Sequence, residues 1–327
     1  MIQKECILIT GGCGAIGSEV TNRLKQLQPD KHFVVYDNLT YAGDTANIEP
    51  PYENYTFVKG DICNVKQVTD VLEKYRPDVI MHLAAETHVD NSFGNSFQFT
   101  HTNVFGTHVL LECSKKYMET GNNLRLFLHM STDEVYGSVS DDEPPCVEQS
   151  LFHPSNPYAA SKAAAEMICQ AYLRSFKIPL IVARCNNAIS KYQNEEKLIP
   201  KVVSSIINGT KIPIHGKGES KRTFIHSYDI ADALATIVDH GSIGESYNIG
   251  SNLEYTVMNV VSYILGKMKP EEDIGSWINY VPDRAFQDYR YSIDSSALQS
   301  LGWSQRIGFE DAVDDVINHH LAKGNRA

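Results

Sequence analysis

Through the first half of the chain, short apolar runs alternate with longer stretches of mixed apolar and polar residues. The runs are Cys6–Thr10, His32–Asp37, 55–58, 79–85, 124–130 and 179–184. They are rich in Val, Ile, Leu and Phe, as expected of strands buried on both faces. Helical stretches lie between them, near 15–27, 64–75, 95–118 and 157–176. This alternation predicts right-handed βαβ units and a parallel sheet covered by helices on both sides. After residue 185 the pattern weakens. Loop signals and helices near 197–208, 227–240, 255–267 and 309–322 take over, with one more strand at 246–250. No internal repeat or low-complexity linker interrupts the chain. The expected organisation is a doubly wound α/β unit over 1–185, joined by the strand at 246–250, and a smaller α/β unit over 186–327. In open sheets of this kind the functional cleft lies beyond the carboxyl ends of the strands.

Composition narrows the possible partners. With 29 basic and 40 acidic side chains the formal charge is −11, which disfavours nucleic acid and anionic membranes. No apolar run approaches the length of a membrane span, and the first ten residues lack a signal-peptide pattern. The seven cysteines are scattered and contain no Cys-x-x-Cys pair, as expected for a reduced, cytoplasmic chain with neither disulfides nor a zinc site. None of the twelve histidines has metal-ligand spacing with a carboxylate or cysteine partner, so no metal is expected.

Thr10-Gly11-Gly12-Cys13-Gly14-Ala15-Ile16-Gly17 follows the first strand and opens a helix. Small residues there let backbone approach a pyrophosphate at the helix N-terminus. Asp37 ends the second strand, where a carboxylate binds a ribose diol and repels the 2′-phosphate of NADP, so NAD is expected. Asp61 and Ile62 follow the third strand and could flank an adenine. Leu83, Ala84 and Ala85 close the fourth run with small side chains.

A second constellation carries chemistry. Asn156 can cap, and Pro157 can start, a helix on which Tyr158 and Lys162 share a face. An ammonium beside a phenol lowers its pKa, so the phenolate can accept an alcohol proton. By itself this spacing also fits an ordinary amphipathic helix. Ser131-Thr132-Asp133-Glu134 ends the fifth run at the same cleft edge and adds a hydroxyl with an adjacent acid and base.

With these motifs in place the sequence resembles the extended short-chain dehydrogenase/reductases, and within them the nucleoside-diphosphate-hexose 4,6-dehydratases. The matching pieces are 10–17, 37–43, 82–90, 131–137, Tyr158-x-x-x-Lys162, 196–200 and Asp283-Arg284. Thr132-Asp133-Glu134 is the most specific of them. The resemblance implies a Rossmann-like fold, bound and recycled NAD, and a homodimer formed through the helices near 95–118 and 157–176. It adds Gly14, Asn38, Thr40 and Thr102 to the cofactor side. To the sugar side it assigns Thr87, Asn187, Glu196, Lys197, Leu198, Arg222, Asp283, Arg284 and Gln287. It implies Tyr158, with Lys162 and Thr132, as the base at O4, Asp133 as the acid at O6 and Glu134 as the base at C5.

Asn91, Val257 and Phe286 resemble the UDP-glucose branch more than the dTDP-glucose branch. Ala188-Ile189-Ser190-Lys191 departs from both, which keeps UDP-N-acetylglucosamine beside UDP-glucose as the expected substrate. Residues 195–222 carry six basic and three acidic groups, a local excess of positive charge that suits a diphosphate clamp in so acidic a chain. Lys217 and Lys221 in that stretch read as solvated surface. A nucleotide-sugar epimerase would share the NAD site but not need Asp133 and Glu134. A non-catalytic NAD-binding protein would need neither these nor Tyr158.

Overall fold

The computed structural model describes residues 4–282 and 288–324. Its main element is a seven-stranded sheet formed by β1 (Cys6–Thr10), β2 (His32–Asp37), β3 (Tyr55–Lys59), β4 (Val79–His82), β5 (Leu126–Thr132), β6 (Leu180–Cys185) and β10 (Ser246–Ile249). The order is β10-β6-β5-β4-β1-β2-β3, and every pairing is parallel. Strand order therefore reverses between β1 and β4, the switch point that opens a crevice at the carboxyl ends. Successive residues of a strand face opposite sides. In β1, Ile7 and Ile9 enter one core with Leu24 and the helix Ser227–His240, while Leu8 enters the other with Val71, Leu110 and Tyr172.

Several helices match their sequence signals. Ala15–Leu27, Pro157–Phe176 and Ser227–His240 have the expected bounds. Asn156 caps the second of these by accepting from the Ala159 amide at 2.8 Å. The stretch expected as one helix from 95 is divided: Ser96–Phe99, a π-helical segment Thr100–Gly106, and Thr107–Glu119. The strand expected over 79–85 stops at His82, leaving Leu83–Ala85 as a loop beneath the cleft.

Beyond β6 the chain forms small sheets that hydrophobic patterning did not reveal. β7 (Asn187–Ile189) pairs parallel with β9 (Lys221–His226), which pairs antiparallel with β11 (Glu254–Thr256). β8 (Ile212–His215) pairs parallel with β12 (Ile278–Val281). Their strands of three to six residues are too short for a clear period. They pack on a separate core built by the helices Leu198–Ile207, Val257–Met268 and Phe309–Gly324. Among the described residues no helix is long and apolar enough to cross a membrane. All seven cysteines are free.

Candidate active site

A cleft of about 330 Å³ opens over the carboxyl ends of the parallel strands. Its floor is backbone. Gly11 has φ +69°, and a Cβ there would stand 2.6 Å from the Ala84 backbone. A Cβ on Gly17 would lie 2.1 Å from the Gly11 carbonyl oxygen. Both positions therefore need glycine, and the resulting turn brings the first helix up to the cleft. Asp37 closes the floor at the end of β2. Its two oxygens accept from the Cys13 amide at 2.9 Å and the Leu39 amide at 2.8 Å, which fixes the carboxylate and leaves lone pairs for a diol. Gly14, Ala15, Ile16, Asn38, Thr40, Asp61, Ile62, Leu83, Ala84, Ala85 and Thr102 line the same cleft. The close backbone approach at the Gly11–Gly17 turn and the fixed Asp37 carboxylate suit the pyrophosphate and the ribose diol of a dinucleotide.

The opposite edge is lined by buried titratable groups. Thr132 ends β5, and its hydroxyl lies 3.2 Å from Asp133 Oδ1 and accepts from the Glu134 amide at 3.3 Å. Asp133 is 2% exposed, and Asn186 Nδ2 donates to its other oxygen at 2.6 Å. Burial, reinforced by the adjacent Glu134 charge, lifts the Asp133 carboxyl to about 7. Burial also raises Glu134, against an opposing hydrogen bond from Asn156 and the positive charges of Arg222 and Lys197. One acid held near neutrality beside a second carboxylate is the arrangement acid–base elimination requires.

Tyr158 and Lys162 face this pair from the first two turns of their helix and line the cleft. Here the structure departs from the simple expectation of an ammonium lowering a phenol. Lys162, 3% exposed, donates to the Met130 carbonyl at 2.6 Å, and burial holds it down to about 8. Burial drives the Tyr158 hydroxyl well above its usual range, with the Glu134 and Asp133 charges adding to the effect and a hydrogen bond with Thr132 opposing it. Desolvation outweighs the helical neighbour because both groups have left water.

A second cavity of about 390 Å³ adjoins the first and shares Thr87, Glu134, Asn187, Glu196 and Lys197 with it. Leu198 and Arg222 line this second space, and so does Lys217, which composition alone assigned to solvated surface. Lys221 pairs with Asp141 at 2.7 Å, outside both cavities. Glu196 accepts from the Tyr41 hydroxyl at 2.9 Å and the Asn91 amide at 3.3 Å, and Lys197 donates to the Thr87 carbonyl at 2.9 Å. Arg222 is fixed by donation to the Asp288 carbonyl at 3.0 Å. Asp283, Arg284 and Gln287, with Phe286, lie outside the described residues.

Three contributors escaped the sequence reading, and a fourth, Asn156, was read there only as a helix cap. Asn186 holds Asp133, Asn156 caps its helix and also donates to Glu134 at 3.1 Å, and Tyr291 and Asp288 close the back of the site. The Asn186-Asn187 doublet at the end of β6 was the available signal for the first, since strand ends face the cleft. No local pattern marks Asp288 or Tyr291.

Comparison with known proteins gives consistent matches. The family model for GDP-mannose 4,6 dehydratase matches residues 8–316. A trifunctional UDP-glucose 4,6-dehydratase/UDP-4-keto-6-deoxy-D-glucose 3,5-epimerase/UDP-4-keto-L-rhamnose-reductase of Arabidopsis thaliana is 45% identical over 319 residues, 95% of this chain. This chain spans 46% of that relative's length, about half. The mouse dTDP-D-glucose 4,6-dehydratase is 39% identical, and the match covers 95% of this chain and 87% of the relative. The crystal structure of a dTDP-glucose 4,6-dehydratase from Streptomyces venezuelae, with NAD bound, superposes with TM-score 0.91 at 34% identity over 98% of each chain. A UDP-glucose 4-epimerase from Thermotoga maritima has TM-score 0.86 at 25% identity, covering 97% of this chain and 99% of that one.

Proposed function

The chain belongs to the nucleoside-diphosphate-hexose 4,6-dehydratase family, and we propose that it converts a UDP-hexose to the UDP-4-keto-6-deoxyhexose. UDP-glucose and UDP-N-acetylglucosamine are the two candidate substrates. The cofactor is NAD. The observation that carries the reading is the buried Asp133, lifted to about 7 beside Glu134 and across the cleft edge from Tyr158. A 4-epimerase of the same fold has no elimination step and no use for such an acid.

NAD fits the cradle on two counts: the Gly11–Gly17 turn leaves backbone room for a pyrophosphate, and Asp37 favours an unphosphorylated ribose. When bound, NAD supplies the acceptor that holds the C4 hydrogen and returns it to C6, and its ring cation favours ionisation of a nearby phenol. In this reading residues 1–185 serve chiefly the cofactor and 186–327 the sugar nucleotide. Tyr158 accepts the O4 proton, with Thr132 favouring its ionised form. Lys162 is anchored on the Met130 carbonyl and contributes positive charge to the site. The 4-keto group acidifies the C5 proton. Glu134 takes that proton as Asp133 gives its own to the departing O6, so the C5–H and C6–O bonds break and water leaves. Glu134 then returns a proton to C5. The roles of Thr87, Asn187, Glu196, Lys197, Leu198 and Arg222 toward the sugar nucleotide belong to the same proposal.

The UDP assignment is supported by the 45% identity to the plant UDP-glucose relative against 39% to the mouse dTDP-glucose enzyme. The good coverage of the dTDP-glucose relatives keeps dTDP-glucose as the second reading. Incubation with UDP-glucose, UDP-N-acetylglucosamine and dTDP-glucose, followed by kcat/KM for 4-keto-6-deoxy product, tests this. A clear preference for dTDP-glucose refutes the nucleotide assignment, and C4 inversion without loss of water refutes the dehydratase reading. A homodimer through the helices flanking the site is part of the proposal. Support comes from exposed Phe97, at 87%, with Phe105, Met167 and Phe176 on the same helical layer. Seven free cysteines support a reducing compartment such as the cytoplasm.

A further inference from the structure

Tyr291 stands between two carboxylates. Its hydroxyl oxygen lies 2.5 Å from Asp288 Oδ2 and 3.3 Å from Glu134 Oε2. Ser155 Oγ donates to the same Asp288 oxygen. Tyr291 and Asp288 are each 4% exposed, and the Arg222 guanidinium sits 4.5 Å above the Tyr291 ring centroid while donating to the Asp288 carbonyl.

A phenol has one proton to give. The shorter, charge-assisted contact commits it to Asp288, so Glu134 faces an oxygen lone pair. An ionised Glu134 oxygen gains nothing from that lone pair, whereas a protonated one donates to it. Asn156 Nδ2 donates to the same Glu134 oxygen at 3.1 Å and so serves the ionised form. The two neighbours of one oxygen therefore favour opposite protonation states: Asn156 the base before it acts, Tyr291 the acid it becomes.

We propose that Tyr291, with its own proton committed to Asp288, is a positioning residue for Glu134 that accepts a hydrogen bond from this carboxyl once it has taken the C5 proton. The inference rests on the reading of Glu134 as the C5 base. The proton moves from C5 to Glu134, the C–H pair forms the C5–C6 double bond as water leaves, and the same proton is held in place for return to C5. Tyr291 exchanges no proton with the substrate.

The test is Tyr291→Phe, assayed with UDP-glucose carrying deuterium at C5 or, separately, at C4. Losing one hydrogen bond to a charged or charging group should lower kcat about tenfold. KM should stay within about twofold. The isotope effect from C5 should grow while that from C4 does not, a selectivity that a general loss of structure would not produce. Asp288→Asn should act in the same direction and add little to Tyr291→Phe in the double variant, since it works through the phenol. If Tyr291→Phe does not fold, Ser155→Ala, which removes another donor to the same Asp288 oxygen, is read by the same isotope criterion. A raised KM with kcat intact makes Tyr291 a substrate ligand and overturns the inference. So does an unchanged C5 isotope effect, or full additivity with Asp288→Asn. Glu134→Gln run in parallel separates the two levels. Normal dehydration by that variant removes the C5-base reading itself, whereas an inactive Glu134→Gln beside an unaffected Tyr291→Phe removes only the present inference.

Discussion

The floor of the cleft and its chemical edge are built on opposite principles. The floor works through atoms that are missing: Gly11 and Gly17 admit no Cβ, and the space so made is shaped by backbone. The edge works through charges held where water is scarce: Asp133, Tyr158 and Lys162 are all displaced from their ordinary pKa chiefly by burial, with the Glu134 charge adding to the shift of the first two and the Glu166 charge opposing that of Lys162. The contrast teaches that binding and chemistry should be separable here. Substitutions on the floor should change occupancy, and those on the edge should change rate.

The strongest challenge to that separation comes from the edge. Glu134→Gln and Tyr158→Phe should each lower dehydration about 10²–10⁴-fold, the usual contribution of a positioned acid or base, while NAD still co-purifies. They should differ from each other. After one equivalent of substrate, Glu134→Gln should show the absorbance of reduced bound cofactor, and Tyr158→Phe should not. Loss of NAD from either variant would break the comparison.

On the floor, Asp37→Ala should weaken NAD binding by about 1–3 kcal/mol, read by titrating cofactor into stripped protein. At saturating NAD its kcat should match the parent. A kcat defect that persists at saturation would mean that Asp37 also serves the edge.

Stability sharpens the contrast. The Asp133 carboxyl stands at about 7 when folded, against an ordinary value of 3.8. A group whose folded pKa is raised binds its proton more tightly in the native state, so stability is lost as pH rises from about 4 to about 7. Asp133→Asn should therefore raise unfolding stability at pH 8 by on the order of a few kcal/mol while strongly lowering turnover, with little gain at pH 4. Denaturant melts at the two pH values would show it, and an equal effect at both would mean that the carboxyl carries no charge penalty.

The smallest effect is a shift of profile. Asp133 acts protonated, so kcat should fall as pH rises through its pKa. The Asn186 amide stabilises its carboxylate form, and Asn186→Ala should move that alkaline limb upward, by about one pH unit or less. A downward shift would reverse the assigned sense of the hydrogen bond.

How much of this was legible in the sequence follows the same division. The parallel sheet could be read because β1, β2 and β6 are continuous apolar runs, and the helix Pro157–Phe176 because Asn156 and Pro157 mark its start. The cofactor floor could be read because its determinants are local: a glycine turn, then an aspartate at the next strand end. Asn186, 53 residues from Asp133, left only its place just after β6 as a signal. Tyr291 could not be read, because it reaches Glu134 from 157 residues away in sequence, and neither could its partner Asp288. Nor could the displacement of Tyr158 and Lys162, because spacing on a helix reports which groups are neighbours and says nothing of how dry they are. The short strands β7, β8, β9, β11 and β12 are set by tertiary packing rather than by their own periodicity.

The π-helical segment Thr100–Gly106 has a consequence for how this stretch of chain can change. At its centre Asn103 spans the Glu86 backbone, accepting from its amide at 2.8 Å and donating to its carbonyl at 3.0 Å, and reaches Ser161 Oγ at 2.9 Å. Just downstream, Leu110 and Leu111 are fully buried against the sheet. Each residue turns an α-helix by about 100°, and a π segment holds an extra residue within its turn. It acts as a phase adjuster between two gears, one meshed with the cleft wall and one with the core. Deleting a single residue there would restore a regular helix and disengage one of the two, so the length of this segment is tied to the alignment of surfaces on either side of it.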